Sequence, residues 1–274
     1  MGEARYVTVD GRRVRYLECG EGDPMLLVHG WIGSAENFHK WVPALSGRRR
    51  MIMPDLPGFG ESEPLPGKHT TAALATSVEA FASAVGLRLF DLGGLCLGAT
   101  VALELARRDP ERVRQLVLHT PIYARPALSA SFKLQTSIFT VPPIFFPFWR
   151  LGTSRFLADL YRRLFVGETS DVDRVEQDLN FANQVRCLPR AAREWLDDAL
   201  DQDFTEWLAQ WEQPVLMIVA GNDNMVDVGA MQRLTESMQT AEVVVVPDTG
   251  HGWNEALIQA QSAAISGFLS PEAI

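Results

Sequence analysis

Six short apolar runs punctuate the chain, near residues 25–28, 50–54, 87–92, 113–119, 215–220 and 241–246, most of them bounded by Gly, Pro or Asp. Runs of this length, with that punctuation, predict strands buried on both faces. Between them, stretches near 36–45, 71–85, 97–108, 228–238 and 254–268 carry helical signals. Such alternation predicts a mainly parallel sheet with helices on both faces. The N-terminal MGEARYVTVDGRRVRYLE alternates around Asp10-Gly11 and predicts a β-hairpin. Its two antiparallel strands at one edge bring the expected sheet to eight.

From about Pro121 to Gln213 the alternation stops, and helical signals near 154–165, 172–186, 190–200 and 204–211 continue without a convincing strand. The expected organisation is an α/β core of residues 1–120 and 214–274, with a helical cap of 121–213 inserted after the sixth strand. Within the cap, SIFTVPPIFFPFW (137–149) is apolar and rich in proline. The prolines forbid one continuous helix there, and the run is too short to span a bilayer. Phe145, Phe146 and Trp149 are candidates to line a substrate pocket, and packing of the cap onto the sheet is the plainer alternative.

The densest chemical signal lies from Asp91 to Pro110, DLGGLCLGATVALELARRDP, a strand, a Gly-rich turn and a helix with Cys96 at the apex. A side chain aimed outward from a strand-to-helix turn needs a strained backbone, and small neighbours where the helix crosses back over the strand. Gly94 and Gly98 stand two residues to either side. A helix N-terminus also favours thiolate over thiol. Against this, a single Cys in an apolar run is most often a small core residue.

Four further segments end predicted strands. MLLVHGWIG (25–33) runs into a His-Gly turn, and DLPGFGES (55–62) is a turn dense in Gly and Pro. PVLMIVAGND (214–223) delivers Asp223, and TGHGWNE (249–255) sets His251 in a Gly-flanked loop. With these five motifs in the order nucleophile, acid, histidine, the chain resembles the α/β-hydrolase superfamily from about residue 5 to 270. The resemblance implies Cys96 as nucleophile, His251 as base and Asp223 as the residue that orients it, with the backbone N–H groups of Trp31 and Leu97 forming an oxyanion hole. It departs from the pattern twice. Cys stands where Ser is usual, and Ala220 replaces the usual Gly before the acid, which leaves Asp227 as a second candidate. His29 reads first as a brace for the His-Gly turn by hydrogen bonding, and with Trp253, beside the motifs, joins the candidate pocket residues. His119, ending a strand, could border that pocket, and Asp55 reads as a tie for the 55–62 turn.

Sulfur in place of oxygen makes attack easy and yields a thioester, which can acylate an alcohol, amine or thiol as readily as water. Dienelactone hydrolases resemble the chain in their Cys-His-Asp set, and polyhydroxyalkanoate synthases in their G-x-C-x-G elbow. The expected activity is cleavage of an apolar ester, lactone or thioester. Acyl transfer to an alcohol, amine or thiol is the alternative, and a non-catalytic ligand-binding descendant of the fold a distant third. A parent Ser at position 96 stays open.

Net charge of −9 and no basic run beyond Arg48–Arg50 argue against a nucleic-acid partner. Cys19, Cys96 and Cys187 are odd in number and lack C-x-x-C spacing, against disulfides or zinc, so no metal or cofactor is expected. The partners expected are an apolar acyl substrate and, for transfer, an acceptor or carrier-bound thioester. The reducing cytoplasm is the natural setting, since the chain starts with a hairpin rather than an apolar leader.

Overall fold

The computed structural model of the chain describes residues 2–161, 174–252 and 254–269. The N-terminal hairpin forms as β1 (Glu3–Val9) and β2 (Arg12–Cys19), with Asp10 and Gly11 both at positive φ, the combination a tight two-residue turn requires. β3 (Asp23–Val28), β4 (Arg49–Pro54), β5 (Phe90–Leu95), β6 (Val113–His119), β7 (Val215–Ala220) and β8 (Ala241–Val246) complete an eight-stranded sheet in the order β1-β2-β4-β3-β5-β6-β7-β8. β1–β2 and β2–β4 pair antiparallel, and every other neighbouring pair is parallel. β5 and β7 are buried along their whole length, which explains their unbroken apolar runs.

Helices cover both faces. α1 (Val42–Leu45) and α11 (Glu255–Phe268) pack with Phe38 and Trp41 against one face, which carries Met25, Leu27, Met51 and Ile218. On the other lie α2 (Thr71–Ala84), α3 (Gly98–Arg108) and α10 (Val228–Glu236), around Leu26, Val28, Phe81, Phe90 and Met231. The strand order reverses between β3 and β5, and their carboxyl ends therefore frame the crevice where open α/β sheets take ligands.

Between β6 and β7 the described chain is helical: α4 (Ala130–Phe139), α5 (Pro142–Gly152), α6 (Arg155–Tyr161), α7 (Arg174–Arg186), α8 (Pro189–Ala199) and α9 (Thr205–Leu208). The predicted break in the proline-rich run falls between α4 and α5. Pro142 and Pro143 open α5, where their missing N–H groups cost nothing, but Pro147 lies inside that helix and does not end it. The strand expected near 87–92 sits at 90–95, because Gly93 and Gly94, read as the start of the turn, belong to β5. The stretches expected to be helical at 154–165 and 172–186 fall partly outside the described residues.

The insertion is tied to the sheet domain by polar contacts. Leu188 N–H donates to Gly58 O (2.9 Å), Thr71 N–H to the Asp198 carboxylate (2.7 Å), and buried His69 meets Glu194 at 3.2 Å. Among the described residues, no helix is long and apolar enough to cross a membrane.

Candidate active site

Cys96 follows β5 with φ +49°, a left-handed conformation rare for any side-chain-bearing residue. Its N–H donates to His119 O (2.9 Å), and its carbonyl accepts from Ile122 N–H (3.1 Å), so the strained apex is held from the neighbouring strand end. The helix that follows comes very close to β3. A Cβ on Gly98 would stand 2.3 Å from His29 O and 2.6 Å from Val28 O, and one on Gly94 would stand 2.8 Å from Ala99 Cα. The two glycines are the clearance that lets α3 turn back over the sheet.

The His-Gly turn after β3 lies against this elbow, with the Cβ position of Gly30 only 3.3 Å from Cys96 Cβ. Trp31 and Leu97 both border the chamber above Cys96. Among the described residues, neither backbone N–H donates to a protein acceptor. The Trp31 side chain reaches the insertion, its Nε1–H donating to Ala192 O (2.8 Å).

Asp223 and His251 come from the loops after β7 and β8. His251 Nδ1 meets Asp223 Oδ2 at 2.8 Å, while the other carboxylate oxygen accepts from Met225 N–H (2.8 Å) and Val226 N–H (3.0 Å). Burial alone would lower the His251 pKa, but attraction to the Asp223 carboxylate, and then to the Cys96 sulfur, raises it well above the ordinary imidazole value. Burial would raise Asp223; the His251 imidazolium and the two N–H donors outweigh it and hold the carboxyl below its usual range. Asp227, the second candidate, instead caps α10, accepting from Ala230 N–H (3.1 Å).

Two chambers share a wall here. One, of about 220 Å³, contains Cys96, His251, Leu97 and Trp31, together with His119 and Thr120. The other, of about 210 Å³, is almost wholly apolar and lies under α4–α6, lined by Phe132, Phe139, Phe145, Phe148 and Trp149 among others. Trp31, Ile32, Phe132, Gln184 and Leu196 border both.

Three expectations about the pocket need correction or fall outside it. Phe146 is 42 % exposed and stacks edge-on against Phe145 instead of lining a chamber, because neighbours on a helix point about 100° apart. His29 is fully enclosed: its Nδ1–H donates to Gly30 O (2.9 Å) and its Nε2 accepts from Leu56 N–H (2.9 Å), so it braces the turn and lines neither chamber. Trp253 lies outside the described residues. Asp55 does tie down its turn, accepting from Ala35 and Glu61 N–H and pairing with buried Arg15 at 3.0 Å.

Other residues at the site carried no motif. His119, buried behind Cys96, has its pKa pushed down to about 3 by burial and by His251, so it stays neutral. Asn180 and Gln184, one turn apart on α7, line the chambers, and among the described residues neither side-chain amide makes a hydrogen bond. Their i,i+4 spacing is readable in sequence, but the face it marks is not. Among the described residues, no group of three or more His, Cys, Asp or Glu side chains is arranged to hold a metal ion.

Comparison with known proteins agrees with this architecture. The alpha/beta hydrolase fold family matches residues 23–254. The acetyltransferase component of an acetoin-cleaving system from Pseudomonas putida is 27 % identical over 250 residues, 89 % of this chain but only 63 % of that longer protein, so the chain spans less than two thirds of it. A pimeloyl-acyl-carrier-protein methyl ester esterase from Nitrosomonas europaea is 29 % identical over 85 % of the chain and 90 % of its own length. The crystal structure of a bromoperoxidase from Bacillus anthracis superposes with a TM-score of 0.82 at 19 % identity, covering 97 % of this chain and 99 % of that one, a likeness of fold alone.

Proposed function

The chain belongs to the alpha/beta hydrolase fold family, and from that premise we propose that it cleaves an apolar ester, lactone or thioester through a thioester formed on Cys96. The observation that carries this reading is the strained Cys96 at φ +49°, in one chamber with a His251 that is bonded to Asp223 at 2.8 Å. Cys96 sulfur attacks the carbonyl carbon, and the oxygen takes up negative charge facing the N–H groups of Trp31 and Leu97. His251, kept protonated by Asp223, gives its proton to the leaving oxygen or sulfur as the bond to it breaks. In the second half, water loses a proton to His251 and attacks the thioester, and Cys96 leaves as thiolate. Residues 121–213 act as a cap over the core of 1–120 and 214–274, and the acyl group occupies the apolar chamber beside Phe145 and Trp149.

A second reading, transfer of the acyl group from Cys96 to an alcohol, amine or thiol, has support from the sulfur nucleophile and from the acetyltransferase relative. No cofactor enters either route. Three free cysteines favour a reducing setting, and we place the protein in the cytoplasm.

The test is intact-protein mass after brief mixing with a series of p-nitrophenyl acyl esters. The native protein should gain one acyl mass and Cys96→Ala none. Shortening of adduct lifetime by added amine or alcohol, with the acyl group recovered on that acceptor, selects transfer over hydrolysis. No adduct and no nitrophenol release from any ester would sink both.

A further inference from the structure

Among the described residues, most of the exposed large apolar side chains lie on α4–α6. Phe156 is 74 % exposed, Leu134 65 % and Leu151 57 %, and Ile138, Ile144 and Leu160 also stand open to solvent. By contrast, the described sheet domain exposes only Tyr6 and Leu89 among its large apolar side chains. A face of this kind, with its apolar residues on consecutive helices, marks an interaction site rather than ordinary surface scatter.

Two observations say what it meets. First, Leu151 and Leu160 line the apolar chamber and are also part of the exposed face, so the chamber wall continues outward onto this surface. A molecule leaving an apolar phase there would enter the chamber without first crossing water. Second, the charge of the face is opposite to that of the protein. The whole chain carries −9, yet residues 130–161 hold Lys133, Arg150 and Arg155 against the single acid Asp159. Arg155 is committed to Asp178; Lys133, whose ammonium donates to Pro126 O (3.1 Å), and Arg150 stand next in sequence to Leu134 and Leu151. Short helices with apolar outer side chains and basic neighbours lie in the headgroup plane of anionic bilayers.

We infer that α4–α6 dock on the surface of an anionic lipid bilayer, with Leu134, Ile138, Leu151 and Phe156 dipping below the headgroups, and that apolar substrate reaches the chamber from the lipid. The docking is a binding property of the insertion's outer face and does not depend on the chemistry assigned to Cys96, whereas the passage of apolar substrate rests on the proposed function.

The measurement is co-flotation of the full chain with vesicles of phosphatidylcholine alone and of phosphatidylcholine with equal phosphatidylglycerol. Binding to the anionic vesicles should be at least about tenfold stronger and should weaken as salt is raised. The double variant Leu134→Ser/Phe156→Ser should lose at least about tenfold in partitioning while keeping the native melting temperature, since both side chains are exposed. Lys133→Glu/Arg150→Glu should remove the preference for anionic lipid. Cys96→Ala should bind as the native protein does, which separates this inference from the enzymatic one. Absence of flotation with both vesicle types, or equal flotation of the Leu134/Phe156 variant, overturns it. So does a native dimer in vesicle-free buffer that the same variant converts to monomer, since the face would then belong to a second copy of the chain.

Discussion

The sheet domain and the helical insertion obey different rules. At the carboxyl ends of β3, β5, β7 and β8 each side chain is fixed by close backbone contact: Gly98 against His29 O, Cys96 N–H on His119 O, Asp223 on two N–H groups and on His251. In the insertion, position is set by side-chain packing and by a few polar clips such as Glu194 on His69. The first region tolerates almost no change in backbone, and the second tolerates many changes in side chain. Under the proposed function, chemistry would be fixed where the sheet ends, and choice of substrate would be set above it.

The largest test of this contrast is Asp223→Asn, which keeps shape but removes the charge opposite His251. Turnover of any acyl ester should fall by about a hundredfold or more, and His251 should titrate closer to an ordinary imidazole. The stability attached to the pair has two limits. The raised His251 contributes in full below about pH 6.5 and loses that contribution as pH climbs through its elevated folded value. The lowered Asp223 contributes in full above about pH 3.9 and loses it on acidification through its depressed folded value. Melting temperatures measured across pH should show the native protein's advantage over Asp223→Asn greatest between those limits and shrinking on either side. An advantage independent of pH would remove the ion pair from the account.

Gly98→Ala is next. Its new Cβ meets two backbone carbonyls that cannot swing aside, so we expect a loss of about 3 kcal/mol or more in urea unfolding. Wild-type stability in this variant would mean that α3 can slide, and that the elbow is less fixed than its contacts imply. The insertion holds the last test, in which two adjacent residues part a large effect from the smallest. Phe145→Ala, at a side chain only 4 % exposed, should cost about 3 kcal/mol and shift preference toward longer acyl chains; Phe146→Ala should cost under about 0.5 kcal/mol and shift nothing. Equal costs would erase the inside and outside of α5.

The same contrast governs what could be read in the sequence. Strand runs, the Asp10-Gly11 turn and the elbow were legible because short-range sterics write themselves into residue type: two glycines around a buried turn have few other uses. β5 was displaced by three residues because its last positions are glycines, which read as loop unless the crowding of α3 over them is known. In the insertion, Phe145 and Phe146 are indistinguishable by composition and separated only by the rotation of α5. Trp31, Asn180 and Gln184 meet at the chambers from segments nearly 150 residues apart, a proximity that no local pattern records. His29 shows the opposite case: its bracing of the turn was legible from its place beside Gly30, and because both of its nitrogens are taken by structural bonds it stays out of the chambers where it was also a candidate.

Trp31 bears on inheritance. It borders the chamber of Cys96 while its indole is bonded to Ala192 in α8, so one residue belongs to both halves of the molecule. Descendants of this chain cannot exchange their insertions as freely as loops. A transplanted insertion that lacked a carbonyl at that point would release the indole and loosen the turn beneath it. Recombination among relatives should therefore carry residue 31 and the start of α8 together, as a single heritable unit split across the sequence.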